Sequence, residues 1–386
     1  MLRGAFSISI CLPFVILMLV GQVHAQMFET KAKRAFMVDA ETGTILFSNS
    51  PDEPFPPASL AKLMTVEVVF NALKSSRLSP EEAFYVSENA WRTGGAVSGT
   101  STMFAEVKSS VPLEALVQGV IVHSANDGCI VIAEGMAGSE ENFARMMTER
   151  ARTLGLDTST FVNSTGLPAA GQAVTAREMT QLALHIWREY PRYYGYFAQP
   201  DFEWNGIRQR NRNPLLPMNI GADGLKTGFT EESGYAIVAS VERDGRRLFA
   251  TLGGMESETE RAEEARKMLD WGMRGFERRE VFADGDIVGE ASVYGGARGA
   301  VKLRAKGALS IFVPTTEPER MIARIVYQGP VKAPVEKGAE IAKLQIWFDE
   351  TLSQETPLYA AETVGQGKLH ERALDAVGEL LVGWMR

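Results

Sequence analysis

Strand-forming runs stand at both ends of the longer part of this chain, with helical patterns between them. This arrangement constrains the fold more than any other feature. Ala35 to Asp39 and Thr44 to Ser48 flank the turn Glu41-Thr42-Gly43. Tyr235 to Val241 and Arg247 to Leu252 are β-rich and separated by Asp244-Gly245, a hairpin dipeptide. Between these pairs, Pro54, Pro56 and Pro57 break the chain. Ser59 then opens a helical pattern through Leu60, Leu63, Met64, Val66, Val69, Phe70 and Leu73. Leu113 to Val122, Gly128 to Met136, Asn142 to Leu154 and Thr175 to Trp187 also carry helical patterns, and Glu260 to Phe276 reads as a charged amphipathic helix. Strands at the ends and helices between them make an α+β unit whose terminal strands can share one antiparallel sheet.

The remainder differs in texture. From Val281 to Val364, short alternating runs such as Leu309, Ile311, Val313 and Ile341, Leu344, Ile346 are separated by Gly307, Pro314, Gly329-Pro330 and Gly338. This predicts a small all-β domain with no catalytic constellation. In the last stretch, Leu369, Leu374, Val377, Leu381 and Trp384 fall roughly on one helical face. Pattern alone leaves two readings, a helix packed on its own domain or one lying in a membrane interface. At the other end, Arg3 precedes an apolar run from Ala5 to Val20. Val23-His24-Ala25 offers small residues at −3 and −1, so residues 1–25 read as a secretory leader. The expected division is residues 1–25 leader, 26–278 main domain, 279–365 β domain and 366–386 amphipathic helix.

With Cys11 in the leader, Cys129 is the sole cysteine left, and no intrachain disulfide forms. A net charge of −8 argues against a nucleic-acid binder, which would show a basic stripe. No Cys/His/Asp cluster has metal spacing, and no cofactor is expected. His123, His185 and His370 offer no triad. His123 adjoins Ser124, but no placed Asp completes the set, so a loop or core role fits it better.

Three short motifs carry chemistry. Ser59-Leu60-Ala61-Lys62 stacks a hydroxyl and an amine one helical turn apart. Serine needs a neighbouring base to become a nucleophile, and a lysine serves if burial or positive neighbours lower its pKa. A capping serine followed by a surface lysine gives the same pattern, and Ser59 after Pro57-Ala58 suits a cap. Ser124-Ala125-Asn126, between two helical patterns, can relay a proton and hold an amide, but a plain interhelix turn also uses Ser and Asn, and Ser87-Glu88-Asn89 repeats the spacing. Lys226-Thr227-Gly228, at the start of the run into the Tyr235 strand, offers a fixed charge, a donor and a close-approach glycine. As an ordered set, S-x-x-K, S-x-N and K-T-G are specific to penicillin-interacting serine enzymes.

On these motifs the sequence resembles the low-molecular-mass penicillin-binding proteins that act as D-alanyl-D-alanine carboxypeptidases. The stretches Gly99 to Phe104, Gly206 to Asn213 and Asp223 to Gly228 also match, as do the β domain and terminal helix. The resemblance implies a penicillin-binding/β-lactamase-like transpeptidase domain followed by a small all-β domain and a membrane-anchoring helix. It implies an exported enzyme at the periplasmic face of the inner membrane. Its substrates would be peptidoglycan stems ending in D-Ala-D-Ala, and β-lactams would acylate it. Ser59 would be the nucleophile, Lys62 its base, and Ser124 and Asn126 would pass protons and hold the peptide. Lys226 and Thr227 would bind the substrate end, with Gly228 beside them. The N–H groups of Ser59 and Phe229 would form the oxyanion hole, and Arg261 would take the carboxylate.

Two departures bear on turnover. Phe229 stands where many relatives carry histidine. Gly166 to Gln172 lacks an acidic residue found in some relatives. Both concern acyl-enzyme hydrolysis more than acylation. D,D-endopeptidase action and weak β-lactamase activity are the enzymatic alternatives, though no E-x-x-L-N stretch lies between Asn126 and Lys226. A non-catalytic wall scaffold is the alternative of another class, disfavoured by the complete Ser59, Lys62, Lys226 set.

Overall fold

The computed structural model describes residues 28–368. The leader (1–25), His370 and the amphipathic stretch from Leu369 onward lie outside the described residues.

The five long strands of the main domain form one antiparallel sheet. They are β1 (Arg34–Asp39), β2 (Ile45–Asn49), β3 (Ala222–Thr230), β4 (Gly234–Arg243) and β5 (Arg246–Met255), in the order β2-β1-β5-β4-β3. The sharing of a sheet by the two ends of the main domain is thus realised: Ala35 lies opposite Leu252, and Met37 opposite Ala250. Asp244 and Gly245 both take positive φ (52° and 76°), the geometry a two-residue hairpin turn requires.

Five helices of a dozen or more residues accompany the sheet: α1 (Lys62–Lys74), α2 (Asn126–Ala137), α3 (Glu140–Thr153), α4 (Ala176–Glu189) and α5 (Glu258–Arg274). Three begin at residues that cap them. Ser139, Thr175 and Ser257 accept from the backbone N–H groups of Asn142, Glu178 and Glu260. α5 covers the sheet's outer face through Ala265, Met268 and Leu269. A Cβ at Gly272 would come within 2.6 Å of the Met37 Cε, so glycine sets how closely helix and sheet approach.

α1 is apolar nearly all round and runs through the main core; eleven of its residues, from Lys62 to Leu73, are buried. Its one buried carboxylate, Glu67, ties it to two neighbouring helices. It accepts from Arg150 of α3 (2.8 Å) and contacts His185 of α4 (3.1 Å), and Tyr190 beyond α4 donates to it at 2.9 Å. The helix that carries Lys62 is thereby fixed along its length.

After α5 the described residues are β strands and their connections, with one 3₁₀ turn at Pro318–Arg320, as the alternating runs predict. A ribbon of β6 (Phe276–Phe282) and β9 (Leu309–Pro314) accompanies a six-stranded sheet. That sheet is made of β7 (Gly289–Tyr294), β8 (Ala300–Arg304), β10 (Met321–Tyr327), β11 (Val331–Lys332), β12 (Glu340–Phe348) and β13 (Thr351–Ala360). Ala291, Val301, Leu303, Leu344, Ile346 and Leu358 form its core. Pairing continues past Val364: Gln366 bridges Gly296, and the Gly367 N–H donates to the Gly295 carbonyl.

Candidate active site

The nucleophile candidate does not sit where a cap would. Ser59 lies within a 3₁₀ turn, Ala58–Ala61, that leads directly into α1, and its side chain caps nothing. The capping alternative fails because Ala58 takes φ +48°, turning the chain so that the Ser59 hydroxyl meets Lys62 instead of the helix N–H groups. Lys62 Nζ is 3.0 Å from Ser59 Oγ and donates to the Thr165 carbonyl at 2.5 Å. Lys62 is 1% exposed, whereas Ser59 is half-buried and so open to solvent on one side. Burial lowers the Lys62 pKa, because a charged ammonium loses its hydration there. A Cys129 thiolate would oppose this most, but burial pushes that thiol up to about 12, so it stays neutral. Glu140 and then Asp127 are the charges left to favour the ammonium.

Ser124 ends a π-type turn, Gly119–His123, and takes left-handed backbone angles (φ 62°, ψ 34°). Single π-type turns occur mostly at functional sites, and left-handed angles are unusual for a residue that is not glycine. The turn swings Ser124 onto the third motif: Lys226 Nζ donates to Ser124 Oγ at 2.9 Å and to the Thr227 carbonyl at 3.2 Å. Burial depresses the Lys226 pKa strongly, and the charge of Lys62 adds to it, followed by Arg212 and Arg261. Asn126 opens α2 and donates to Thr100 Oγ1 at 2.9 Å. Its buried Oδ1 has no partner, so it is an acceptor available to an incoming amide N–H. The second copy of the motif is structural: Ser87 caps a short helix, Glu88–Thr93.

Lys226-Thr227-Gly228 is in the middle of β3, a full strand in its own right, and not at the start of the Tyr235 strand. The sequence concealed this because Asp223-Gly224 and Gly228 look like turn residues. β3 is the edge of the five-stranded sheet, the position from which a strand can pair with an extended peptide. Gly228 lets it lie against the Ser59 turn; a Cβ there would be 3.2 Å from that of Ala58. Next along, Phe229 is exposed and stacks on Tyr235, ring centroids 4.2 Å apart. Arg261, from α5, places its guanidinium 5.5 Å from the same Tyr235 ring. It is 6% exposed, and its buried Nε lacks a partner. Among the described residues its carboxylate partner is Glu258, 3.9 Å away. A cation so placed can receive an incoming carboxylate.

The expected site residues are thus linked to one another: Ser59 meets Lys62, Lys226 meets Ser124 and feels the charges of Lys62 and Arg261, and Phe229 and Arg261 share the Tyr235 ring. His123 is not among the reacting groups. It is buried, with its ring nitrogens on the Phe202 carbonyl (2.8 Å) and the Gln209 amide (3.1 Å), and burial lowers its pKa.

Three supporting residues escaped the motif reading. Asp127 holds the irregular stretch of residues 102–105: Thr102 Oγ1 and the Met103 and Ala105 N–H groups all donate to it, at 2.6, 3.0 and 3.0 Å. Arg212 contributes charge near Lys226. Thr165 acts through its carbonyl, which no side-chain pattern reveals. A signal existed for Asp127, a carboxylate directly after S-x-N in a run that must be buried.

Comparison with known proteins agrees with this geometry. Residues 21–256 match the family described as D-alanyl-D-alanine carboxypeptidase, and residues 276–366 match the penicillin-binding protein 5 C-terminal domain. The chain is 35% identical to D-alanyl-D-alanine carboxypeptidase DacC of Escherichia coli over 90% of its own length and 87% of that protein's. It is 28% identical to DacA of the same organism over 100% and 97% of the two lengths. Among solved structures, penicillin binding protein 5 from Haemophilus influenzae superposes with a TM-score of 0.73 at 32% identity, covering 88% of this chain and 99% of that one. With its serine-lysine pair, K-T-G edge strand and appended β domain, this chain belongs to the D-alanyl-D-alanine carboxypeptidase family of serine peptidases.

Proposed function

We propose that the chain removes the terminal D-Ala from peptidoglycan stem peptides through an acyl-enzyme on Ser59. The observation that carries this reading is the buried Lys62 amine 3.0 Å from Ser59 Oγ, beside an edge strand able to hold a peptide. The Thr165 carbonyl takes one Lys62 N–H, so a neutral amine turns its lone pair toward Ser59. Lys62 then accepts the hydroxyl proton as Oγ attacks the penultimate D-Ala carbonyl carbon. The negative oxygen is held by the N–H groups of Ser59 and Phe229. The C–N bond breaks, and the departing amine takes a proton relayed by Lys62 and Ser124. Water then hydrolyses the Ser59 ester. Ser124 accepts from Lys226 and so keeps its own O–H as a donor. Asn126 and Thr227 hold the peptide, and Arg261 takes the terminal carboxylate. Penicillin acylates Ser59 by the same attack.

The experiment is release of D-Ala from a D-Ala-D-Ala peptide, run beside labelling with a fluorescent penicillin. D-Ala release with slow loss of label supports the reading. Rapid penicillin turnover would favour a lactamase, and label without D-Ala release a scaffold.

The place of action we propose is the periplasmic face of the inner membrane, with the protein held peripherally by its C-terminal stretch. The leader pattern of residues 1–25 supports export, and the apolar face Leu369, Leu374, Val377, Leu381 and Trp384 supports surface attachment. Because Gln366 and Gly367 are bonded into the β domain, the clean deletion starts at Leu369. It should move the protein to the soluble fraction; retention on membranes would contradict the anchor.

A further inference from the structure

The loop of residues 163–167 supplies the carbonyl that orients Lys62, and a carboxylate outside the three motifs holds that loop. Glu140 Oε1, on the first turn of α3, accepts from the Ser164 N–H at 3.1 Å and from Ser164 Oγ at 2.6 Å. From the other side, Thr65 of α1 donates to the Ser164 carbonyl at 2.7 Å. Ser164 is wholly buried between them. The next residue is Thr165, whose carbonyl lies 2.5 Å from Lys62 Nζ. Asn163 Oδ1 gathers the Thr165 N–H, the Thr165 hydroxyl and the Gly166 N–H (3.2, 3.0 and 2.7 Å), which leaves the carbonyl little freedom to turn. A continuous chain of contacts runs from Glu140 through Ser164 and Thr165 to Lys62 and Ser59.

We propose that Glu140 is a positioning residue for acylation: it holds the Thr165 carbonyl on Lys62 through Ser164, and its negative charge acts on the same amine. The groups that face Lys62 are few. Ser59 comes from its own turn, Asp127 and Cys129 from α2, Glu140 from α3 and Lys226 from β3. Cys129 is a neutral thiol. The Asp127 carboxylate is occupied by Thr102, Met103, Ala105 and the Gly128 N–H. Lys226 opposes a charge on Lys62. Glu140 is therefore the carboxylate whose removal changes both the geometry and the charge balance at the base. A buried amine left without its counter-charge holds its proton less firmly, and a displaced acceptor lets the lone pair wander from Ser59.

This inference rests on Lys62 being the base for Ser59, and the test separates the two claims. The acylation rate by a fluorescent penicillin is measured against pH for the full chain and its variants. Glu140→Gln keeps the acceptor oxygen and removes the charge. Its acid limb should move to lower pH, with the alkaline plateau within about twofold of the parent. Glu140→Ala removes both, and its plateau should fall about tenfold or more, since small misplacements of reacting groups have effects of that order. Ser164→Ala removes only the hydroxyl link and should lower the plateau about threefold, so the test survives if Glu140→Ala does not fold. Glu141→Gln, an exposed neighbour paired with Arg145, should match the parent throughout. An unmoved acid limb in Glu140→Gln, or parental plateaus in the alanine variants, would overturn the role of Glu140. Acylation persisting in Lys62→Ala would overturn the base assignment itself.

Discussion

Lys226 donates to Ser124 at 2.9 Å, and Lys62 stands 3.0 Å from Ser59, so the site holds two lysine–serine pairs whose amines are both buried. Burial lowers both amines, and the charge on Lys62 lowers Lys226 further. The two pairs cannot both carry a full charge cheaply in this low-dielectric setting. Chemistry at Ser59 begins from the state in which Lys62 has also given up its proton.

That state has a linked effect on stability. The folded pKa of Lys62 lies below its ordinary value of 10.5, so the unfolded chain binds more protons between those two values. Stability from this group therefore rises with pH through that window and falls as pH drops toward the folded value. Lys62→Met removes the dependence. Thermal melts from alkaline to neutral pH should show the variant gaining on the parent as pH falls, while acylation is abolished. A constant difference in Tm across that range would contradict a depressed Lys62.

Gly166 takes φ +78°, and a Cβ there would lie 1.7 Å from the Ala58 carbonyl oxygen. The loop carrying Thr165 thus rests directly on the turn carrying Ser59. Gly166→Ala should destabilise the fold by about 1–3 kcal/mol, and should slow penicillin acylation because the two segments are forced apart. Denaturant unfolding and the acylation rate check the two parts separately.

Arg261 is poised for a carboxylate and is otherwise poorly paired. Arg261→Gln should lower kcat/KM for a D-Ala-D-Ala peptide by about ten- to a hundredfold, the worth of a hydrogen bond to a charged group. A substrate whose terminal carboxylate is amidated should react equally slowly with parent and variant. A parental kcat/KM in the variant would remove Arg261 from the site.

Phe229 contributes its N–H to the proposed oxyanion hole, while its exposed ring stacks on Tyr235. Phe229→Ala should therefore keep the acylation rate within about threefold of the parent, since the backbone donor is retained. Phe229→His should also acylate normally and lose its label faster, if an imidazole there assists water. A Phe229→Ala variant unable to acylate would show that the ring itself serves the reaction.

Much of this was legible in the sequence, for physical reasons that can be named. The shared sheet followed from a hairpin at each end, because an isolated two-stranded hairpin buries too little to be stable and its open edge pairs with the other hairpin. The motifs announced Ser59, Lys62, Ser124 and Lys226 because each carries an atom the chemistry needs. What stayed hidden depends on backbone direction. The K-T-G strand begins at Ala222 because glycines that look like turns are there for close approach, as at Gly228. Ser59 sits in a 3₁₀ turn because Ala58 adopts a positive φ that no residue type signals. The Thr165 carbonyl and its Glu140 support were illegible because they act through main-chain oxygen and through contacts remote in sequence. The acyl-enzyme assignment rests on side chains, and the orientation of the base on these hidden carbonyls.

The central claim is that Ser59 Oγ is the acylated atom. Intact-mass spectrometry after incubation with penicillin, followed by peptide mapping, tests it most directly. The protein should gain one penicillin mass, carried on the peptide that contains Ser59, and Ser59→Ala should gain none. An adduct that persists in Ser59→Ala, or that maps to Ser124, would contradict the assignment.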